Sequence, residues 1–364
     1  MTESIAAEAP PRRVVVGVDT HKHVHVAVAV DTFGVRLEHR SFNADSTGYS
    51  ELVDWAERHG PIEGFGIEGT GSYGAGLTSA VRRRGHRVVE VNRADRRMRR
   101  ANGKSDTVDA EAAARSVLAG TATAIPKTAD GHAEMIRQVK VARDTAVKAR
   151  SSAIITLKQI IVNAPPALRE LLAPLADKAL IDRCAGLRPG RVVDPTTAAK
   201  HTLRTLARRW LALHREIVGH DKVLDRLTAE AAPTLREGFG IGPDTAAELL
   251  IIFGDNPDRV RSDAAFAKLC GACPIPASSG MTTRHRLYRG GHRQANAALY
   301  RSVIVRMRFH QPTIDYVARR TADGLPKREI IRCLKRYLAR EIYQRVLTDH
   351  RARLGQPSPP TPPS

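Results

Sequence analysis

The amino-acid sequence predicts an α/β fold in the first third of the chain and a mainly helical structure in the rest. Short β-branched runs alternate with helix-like segments up to about residue 124. Beyond residue 131, apolar residues recur at spacings of three, four and seven, the pattern of an amphipathic helix. Aromatic residues make up only 4% of the 364 residues, which fits helices built from Ala, Leu, Val and Ile better than a large β-sandwich.

Three short strands open the predicted α/β part. Residues 14–18 fit a buried strand that ends at Asp19, and residues 24–30 alternate as a second strand. The turn residues 31–34 then lead into a third strand over residues 35–42. Afterwards we predict a helix from an N-cap at Ser46 to Arg58, a strand over 64–68, a helix over 74–84 and a strand over 87–91. This order is typical of a ribonuclease-H-like (RNase H-like) domain.

Two long helices are predicted in the middle of the chain. In the first, an apolar stripe that begins at Met135 leaves basic residues such as Lys140 on the other faces, and the segment Asn163-Ala-Pro-Pro166 ends the helix. The second runs from about residue 195 to residue 230. Two long helices joined by a compact linker indicate an antiparallel coiled coil that could mediate dimerisation or grip nucleic acid. An ordinary helical spacer is the alternative.

These patterns divide the chain into five parts. They are a disordered tail over residues 1–11, an α/β domain over 12–125, a helical coiled-coil region over 126–232, a mainly helical C-terminal domain over 233–355 and a Pro-rich disordered tail over 356–364. Within the C-terminal domain, Gly238-Phe-Gly-Ile-Gly-Pro243 resembles a helix-hairpin-helix turn, whose glycines allow backbone amides to approach a phosphate. A plain interhelical turn uses the same residue types.

The charge of the chain favours a nucleic-acid partner. Lys and Arg number 58 against 38 acidic residues, which gives a net charge of +20 and an isoelectric point near 10.4. An excess of this size creates a long-range field that attracts polyanions, and nucleic acid is the commonest of them. The alternatives are a basic surface that maintains solubility and an RNA binder of the ribosomal type.

The remaining composition predicts a cytoplasmic protein that has no membrane partner. The four cysteines do not form the pattern of a disulfide framework. No run approaches the roughly 18 apolar residues of a membrane helix. The first eleven residues lack the cationic start and apolar stretch of a signal peptide.

Four carboxylates in the first third are the candidate metal ligands. Asp19 and Glu68 each lie at the predicted C-terminal end of a strand, where α/β sheets usually present functional groups. Asp106 and Asp109 are three residues apart near the start of a helix, which places them on one face. Like charges held together are costly unless a cation neutralises them, and Mg²⁺ prefers oxygen ligands. A two-metal site of this kind supports phosphodiester cleavage.

Each of these acids also has a simpler interpretation, since Asp19 could merely end a strand and Asp106 could be an N-cap. Asp95, Glu63 and Glu111 are the acids most easily confused with true ligands. A dense basic stretch next to the acidic pair favours the metal site, because it could follow a phosphate backbone. Its members are Arg82, Arg83, Arg84, Arg87, Arg93, Arg96, Arg97, Arg99, Arg100 and Lys104.

A second candidate site follows Cys270-Gly-Ala-Cys273. One Cys-x-x-Cys pair is weak evidence for zinc, and two partly buried thiols are expected instead. Ser278 and Ser279 lie on an irregular segment flanked by Pro and Gly, where nearby guanidinium groups could bind a scissile phosphate and favour attack by serine. On spacing alone, a hydroxyl in an ordinary turn is the preferred interpretation. The basic neighbours are Arg284, His285, Arg286, Arg289, His292 and Arg293.

Several motifs, in this order and spacing, resemble the insertion sequence 110 family of transposases. They are Gly17-Val-Asp-Thr-His-Lys22, Ile67-Glu-Gly-Thr-Gly-Ser-Tyr73, Lys104-Ser-Asp-Thr-Val-Asp-Ala110, the segment over residues 269–293 and Cys333-Leu-Lys-Arg-Tyr-Leu-Ala-Arg-Glu-Ile-Tyr343. The likeness extends from residue 14 to about residue 346.

This resemblance implies a RuvC-like, RNase H-fold domain with an Asp-Glu-Asp-Asp set, a coiled-coil connector and a C-terminal domain with a nucleophilic serine. The acidic set matches Asp19, Glu68, Asp106 and Asp109, with Mg²⁺ as cofactor. The family's serine precedes a glycine, which matches Ser279, although Ser278 is adjacent. The implied partners are donor and target DNA, a structured bridge RNA and further copies of the chain in a dimer or tetramer.

Three functions therefore compete. The first is a recombinase that uses both the metal site and Ser279, through a phosphoserine link to DNA. The second is a metal-only nuclease of the junction-resolving kind, whose C-terminal domain merely binds DNA. The third is a basic RNA-binding scaffold without enzymatic activity.

Overall fold

The computed structural model describes residues 13–91, 105–278, 280–281 and 285–356. The chain forms two compact units, Met1–Thr128 and Ala129–Ser364. Of the two predicted tails, only Gln356 lies within the described residues. The boundary predicted between residues 232 and 233 stays a prediction.

A five-stranded mixed sheet forms the centre of the N-terminal unit. Its strands are β1 (Val14–Thr20), β2 (Val24–Asp31), β3 (Arg36–Asn43), β4 (Ile62–Glu68) and β5 (Val88–Val91), in the order β3-β2-β1-β4-β5. Strands β1, β2 and β3 are antiparallel neighbours, whereas β4 is parallel to β1 and β5 to β4. This arrangement confirms the predicted mixed α/β architecture and is consistent with an RNase H-like fold.

Three described helices cover the two faces of this sheet: α1 (Ser46–Glu57), α2 (Ala75–Arg83) and α3 (Asp106–Leu118). Trp55 of α1 and Leu77 of α2 are buried on one face, and Ala110 and Ala114 of α3 are buried on the other. The N-cap predicted at Ser46 is wrong by one residue. The carboxylate of Asp45 accepts a hydrogen bond from the Gly48 amide at 2.9 Å, because its two oxygens make it an effective acceptor there.

Helix α3 lies directly on the backbone of the two central strands. A Cβ atom added to Gly17 of β1 would lie 1.9 Å from the carbonyl oxygen of Ala110 and 2.4 Å from the amide nitrogen of Ala114. On the neighbouring strand β4, a Cβ atom on Gly66 would lie 2.8 Å from the carbonyl oxygen of Ala113. The helix can therefore approach this closely only because glycine faces alanine at the crossing.

The second unit is mainly helical, as predicted. Its helices are α4 (His132–Val162), α5 (Pro166–Leu172), α6 (Asp177–Ala185), α7 (Pro195–Ala231), α8 (Pro233–Arg236), α9 (Pro243–Phe253), α10 (Asp263–Leu269), α11 (Arg293–Phe309), α12 (Gln311–Ala322) and α13 (Lys327–Arg353), with one 3-10 turn at Pro257–Arg259. Helices α4 and α7 pack with opposite direction, since Arg143 pairs with Asp221 and Arg150 with His214. Coiled-coil supercoiling and a role in dimerisation stay predictions.

The buried face of α4 differs from the predicted stripe near the start of the helix. Met135 is 45% exposed, whereas Ile136 and Lys140 are buried, because α4 contacts α9 as well as α7. The prediction that Lys140 lies on an outer face is therefore wrong. Its ammonium group lies 2.8 Å from Asp244 and 3.1 Å from both Asp144 and Glu248, so three carboxylates compensate for its burial.

Substitution of Gly17 by Ala should disrupt the N-terminal unit. The added methyl group would meet rigid backbone, so we expect a loss of about 3 kcal/mol or more in the free energy of unfolding. Hydrogen–deuterium exchange of the peptides that cover β1 and α3 measures this loss. Gly64→Ala on β4 is the matched control, because its Cβ would meet its nearest neighbour at 3.5 Å, an ordinary contact. Equal exchange in the two variants would contradict the proposed steric limit.

Substitution of Lys140 by Met should lower the free energy of unfolding by about 3 kcal/mol, because it removes the cation that pairs with the buried Glu248 and with two half-buried acids, Asp144 and Asp244. Burial raises the pKa of Asp244, but Lys140 and then Arg143 and Arg301 outweigh it and lower that pKa below 3.8. The stabilisation is thus present above pH 3.8 and is lost as the pH falls through the lowered value. Urea unfolding at pH 7 and pH 3 measures both effects. Lys148→Met on the exposed face of α4 is the control, and equal losses for the two substitutions would contradict this account.

Candidate metal centre

Strands β1 and β4 bring Asp19 and Glu68 to one edge of the sheet. The two strands are parallel and Val18 pairs with Ile67, so the next residue of each emerges at the same end. The hydroxyl of Thr20 donates a hydrogen bond to the carbonyl oxygen of Glu68 at 2.8 Å, which fixes the two strand ends together. The strand register therefore places both acids at the carboxyl edge of the sheet, as the sequence predicts.

Helix α3 brings Asp106 and Asp109 to the same region from above the sheet. Both acids lie in the first turn of the helix. The simpler interpretation of Asp106 as an N-cap is wrong, since the Ser105 hydroxyl accepts the capping hydrogen bond from Val108 at 3.3 Å. Asp106 is therefore free of the capping role that would have explained it without a site.

The charges at this edge interact. Burial is the main cause that raises the pKa of Asp19; His21 opposes it and lowers this pKa, and the negative charges of Asp106 and Asp109 raise it, so that it lies above its usual value. Asp19 is only 8% exposed, so water screens this repulsion poorly. The arrangement is that of a site built to hold positive charge.

His21 completes a cluster with two of the predicted acids. Its Nε2 atom lies 3.2 Å from Asp19 Oδ2 and 3.4 Å from Asp106 Oδ1. One ligand atom from each of the three side chains lies within 4.8 Å of the others. Sequence reasoning missed His21 as a site residue, although it lies two positions after Asp19 in the motif that carries the family resemblance.

The buried residue His25 forms a hydrogen bond with the backbone of His21. The backbone amide of His21 donates to Nδ1 of His25 at 3.3 Å. The ring of His25 is fully buried and stacks on Tyr49 with ring centroids 5.6 Å apart. Burial lowers the pKa of His25, so it is neutral at pH 7 and can accept this hydrogen bond.

The donor set fits a divalent cation. Carboxylate oxygens are the ligands that Mg²⁺ prefers, and an imidazole nitrogen beside them also suits Mn²⁺. Asp19 and Asp106 are within reach of one ion, and Asp109 is near enough to raise the pKa of Asp19. The strand register places Glu68 at the same edge. The full set of four carboxylates stays a prediction.

The acids named as alternatives lie elsewhere or have other partners. Glu111 of α3 is bound by Arg115 at 2.7 Å and by Arg36 at 3.5 Å. Glu63 is exposed on β4, and Asp95 lies outside the described residues. Neither Glu63 nor Glu111 belongs to the acidic cluster that the described part of the chain contains.

Part of the basic stretch has a structural role inside the N-terminal unit. Arg82 donates to the carbonyl oxygens of Pro126 and Lys127, and Arg84 pairs with Asp54 and Glu57. These two side chains are therefore engaged, which the sequence pattern did not indicate. The predicted nucleic-acid contacts Arg96, Arg97, Arg99, Arg100 and Lys104 lie outside the described residues, as does Arg93.

The segment that contains Ser278 and Ser279 is flanked by the two strands of a short hairpin, where the sequence predicts only an irregular segment. Strands β6 (Pro274–Pro276) and β7 (His285–Leu287) pair in antiparallel register. Ser278 is exposed in the connection, whereas Ser279 and Arg284 lie outside the described residues. Three predicted phosphate ligands are exposed, namely Arg286, Arg289 and Arg293.

The two thiols of the Cys-x-x-Cys pair are at least partly buried, as expected. Cys270 is buried and Cys273 is half-buried, and both are free thiols. Burial raises the pKa of Cys270 to about 12, so the free thiol is protonated at neutral pH.

The turn that resembles a helix-hairpin-helix motif links α8 and α9. Its carbonyl oxygens face α11, because the hydroxyl of Ser302 donates to Gly240 and the guanidinium of Arg306 donates to Phe239, each at 2.8 Å. Helix α8 is a single turn of four residues. Phosphate binding by this turn stays a prediction.

Comparison with known families agrees with this geometry. A DEDD transposase family model matches residues 16–166, the region that contains the acidic cluster. A second model, described as Transposase IS116/IS110/IS902 family, matches residues 232–318. Together they cover more than half of the chain. The chain belongs to the IS110 family of transposases. No curated protein shows a significant match to the chain.

Membership of this family makes the chain a DNA transposase of an insertion sequence, an enzyme that cleaves and rejoins DNA. The purely scaffolding function is therefore wrong. Within the described residues, no helix combines the length and apolar character required to cross a bilayer.

Substitution of Asp106 by Asn should weaken metal binding at least tenfold, because it removes a charged oxygen ligand next to Asp19. Isothermal titration calorimetry with Mn²⁺ on the full chain measures the affinity. Glu111→Gln on the same helix is the control, since Glu111 pairs with Arg115 and Arg36 instead. If both variants bind Mn²⁺ like the unmodified protein, Asp106 is not a ligand.

Proposed function

We propose that this transposase uses two cooperating sites, a divalent metal centre and a nucleophilic serine. The metal ligands are Asp19, Glu68, Asp106 and Asp109, and the nucleophile is Ser279. The observation that carries the metal centre is the convergence of Asp19 and Asp106 on His21, since the two acids come from elements 87 positions apart in the chain. The serine rests on the family resemblance and on its basic surroundings.

The acidic cluster is the part of the site that would bind a cation beside the scissile phosphate. Asp19 and Asp106 would hold this cation, and the buried position of Asp19 keeps one side of the site away from water. A bound Mg²⁺ supplies charge neutralisation and polarises phosphate oxygens. The imidazole of His21 lies between the two carboxylates and contacts both through Nε2, so it bridges the acidic pair before a cation binds.

The serine carries the covalent step. The oxygen of Ser279 attacks the phosphorus atom, one P–O bond to the DNA strand breaks, and the departing DNA hydroxyl takes up the proton. A phosphoserine ester remains, so the energy of the phosphodiester is retained for rejoining. A hydroxyl from a second DNA strand then attacks this ester and restores the serine. Arg286, Arg289 and Arg293 are exposed near the segment and suit the stabilisation of phosphate oxygens.

The partners of this chemistry are donor and target DNA, and by family resemblance a structured bridge RNA. The net charge of +20 supports binding of several polyanionic strands at once. A dimer or tetramer supplies the several active sites that exchange between two duplexes requires. A metal-only nuclease is the second candidate, because the acidic cluster lies entirely within the N-terminal unit.

Ser279→Ala should abolish the covalent adduct between protein and DNA, lowering its formation about a thousandfold or more, while Ser278→Ala should retain it. The two hydroxyls are adjacent, which makes Ser278→Ala the matched control. Denaturing gels with labelled element-end DNA detect the adduct, and mass spectrometry identifies the modified residue.

The possible results separate the candidates. An adduct in Ser279→Ala that disappears in Ser278→Ala transfers the nucleophile to Ser278. If neither substitution alters cleavage while Asp106→Asn eliminates it, the protein is a metal-only nuclease.

A further inference from the structure

The segment that carries the serines has a tightly closed base. Residues 271–292, here called the serine loop, leave the end of α10 and return to the start of α11. The amide of His292 donates to the carbonyl oxygen of Leu269 at 2.7 Å. A Cβ atom on Gly291 would lie 2.2 Å from the amide nitrogen of Gly271, so the two glycines are in direct contact.

The amide side chain of Asn296 forms hydrogen bonds with the backbone where the serine loop begins. Nδ2 of Asn296, in the first turn of α11, donates to the carbonyl oxygens of Cys270 at 2.8 Å and Gly271 at 3.0 Å. These two carbonyls follow the last residue of α10, where helical hydrogen bonding ends. Asn296 therefore determines the direction in which the chain leaves the helix.

A buried lysine completes this arrangement. Nζ of Lys335, on α13, donates to Oδ1 of Asn296 at 3.0 Å. Lys335 is only 6% exposed, and no carboxylate of the described residues lies within ion-pair distance of it, whereas the equally buried Lys140 has three. Burial lowers the pKa of Lys335, and the positive charge of Arg332 lowers it further.

Such a lysine costs free energy, since its charge is buried without an opposite charge. Its hydrogen bond polarises the Asn296 amide, and a polarised amide donates more strongly through its nitrogen. The three groups thus form a continuous series of hydrogen bonds from α13 through α11 to the carbonyls of Cys270 and Gly271. This series ends at the base of the serine loop, so it can influence the conformation of that loop.

We propose that Lys335 and Asn296 are positioning residues that hold the serine loop in the geometry required for attack on DNA. The inference rests on the serine chemistry proposed above. Neither residue contacts the reacting atoms in this role. Attack requires the nucleophile within about 3–3.5 Å of its target, and a displacement of about 1 Å can cost a hundredfold in rate.

Two substitutions separate positioning from simple stabilisation. Lys335→Met keeps the length of the side chain and removes its charge. Asn296→Asp keeps an oxygen acceptor for Lys335 and adds the missing negative charge, but it can no longer donate to the carbonyl oxygens of Cys270 and Gly271. Lys327→Met, at the exposed start of the same helix α13, is the matched control for loss of a lysine.

Each full-length variant is tested by four measurements: melting temperature, affinity for element-end DNA, rate of adduct formation at saturating DNA, and trypsin cleavage after Arg286 and Arg289. We expect both substitutions to slow adduct formation about 10- to 100-fold and to accelerate cleavage of the loop. DNA affinity should stay within about twofold, and Asn296→Asp should keep the melting temperature. Lys327→Met should match the unmodified protein.

Unchanged adduct rate and loop cleavage in Asn296→Asp would overturn the proposal, whatever Lys335→Met does. A Lys335→Met protein that fails to fold leaves this decisive variant intact. The trypsin measurement also separates the two proposals. If the unmodified protein forms no adduct, the proposed serine chemistry is wrong. The positioning of the serine loop by Lys335 and Asn296 is wrong as well only if trypsin cleaves Asn296→Asp at the rate of the unmodified protein.

Discussion

The contact between helix α3 and the two central strands is the constraint on which the acidic site depends. At the crossing point Gly17 and Gly66 place no side chain between the sheet and the helix, and Ala110, Ala113 and Ala114 present the smallest chiral side chain from the helix. The first turn of α3 consequently reaches the edge where β1 ends. A larger residue at this crossing would raise the helix and separate Asp106 from Asp19.

Tight packing at this crossing opposes the repulsion between the acids that it brings together. The buried charge of Lys140, by comparison, is compensated by Asp144, Asp244 and Glu248. At the sheet edge, the described residue that lies between Asp19 and Asp106 is His21. The two clusters therefore differ in composition: the first contains its own cation, and the second is the one that we propose binds a divalent ion.

The fold and the acids were predictable because their signals are local. Strand runs, the turn at Asp31 and the carboxyl-end positions of Asp19 and Glu68 all follow from short patterns. His21 and Lys140 were missed since their roles depend on partners distant in sequence. The buried face of α4 differs from the prediction for the same reason, because α4 packs against α9 as well as against α7. The N-cap error at Asp45 shows that one residue of offset is undetectable when two capping residue types are adjacent.

The most direct test of the metal centre is a crystal structure of the full chain with Mn²⁺, in which anomalous scattering locates the ion. The account predicts one peak bound by carboxylate oxygens of Asp19 and Asp106 at about 2.0–2.2 Å, the range of a small divalent cation. The Gly17→Ala protein should bind the same ion more weakly than the unmodified protein does. Anomalous density located elsewhere, with these two carboxylates still paired only with His21, would contradict the account.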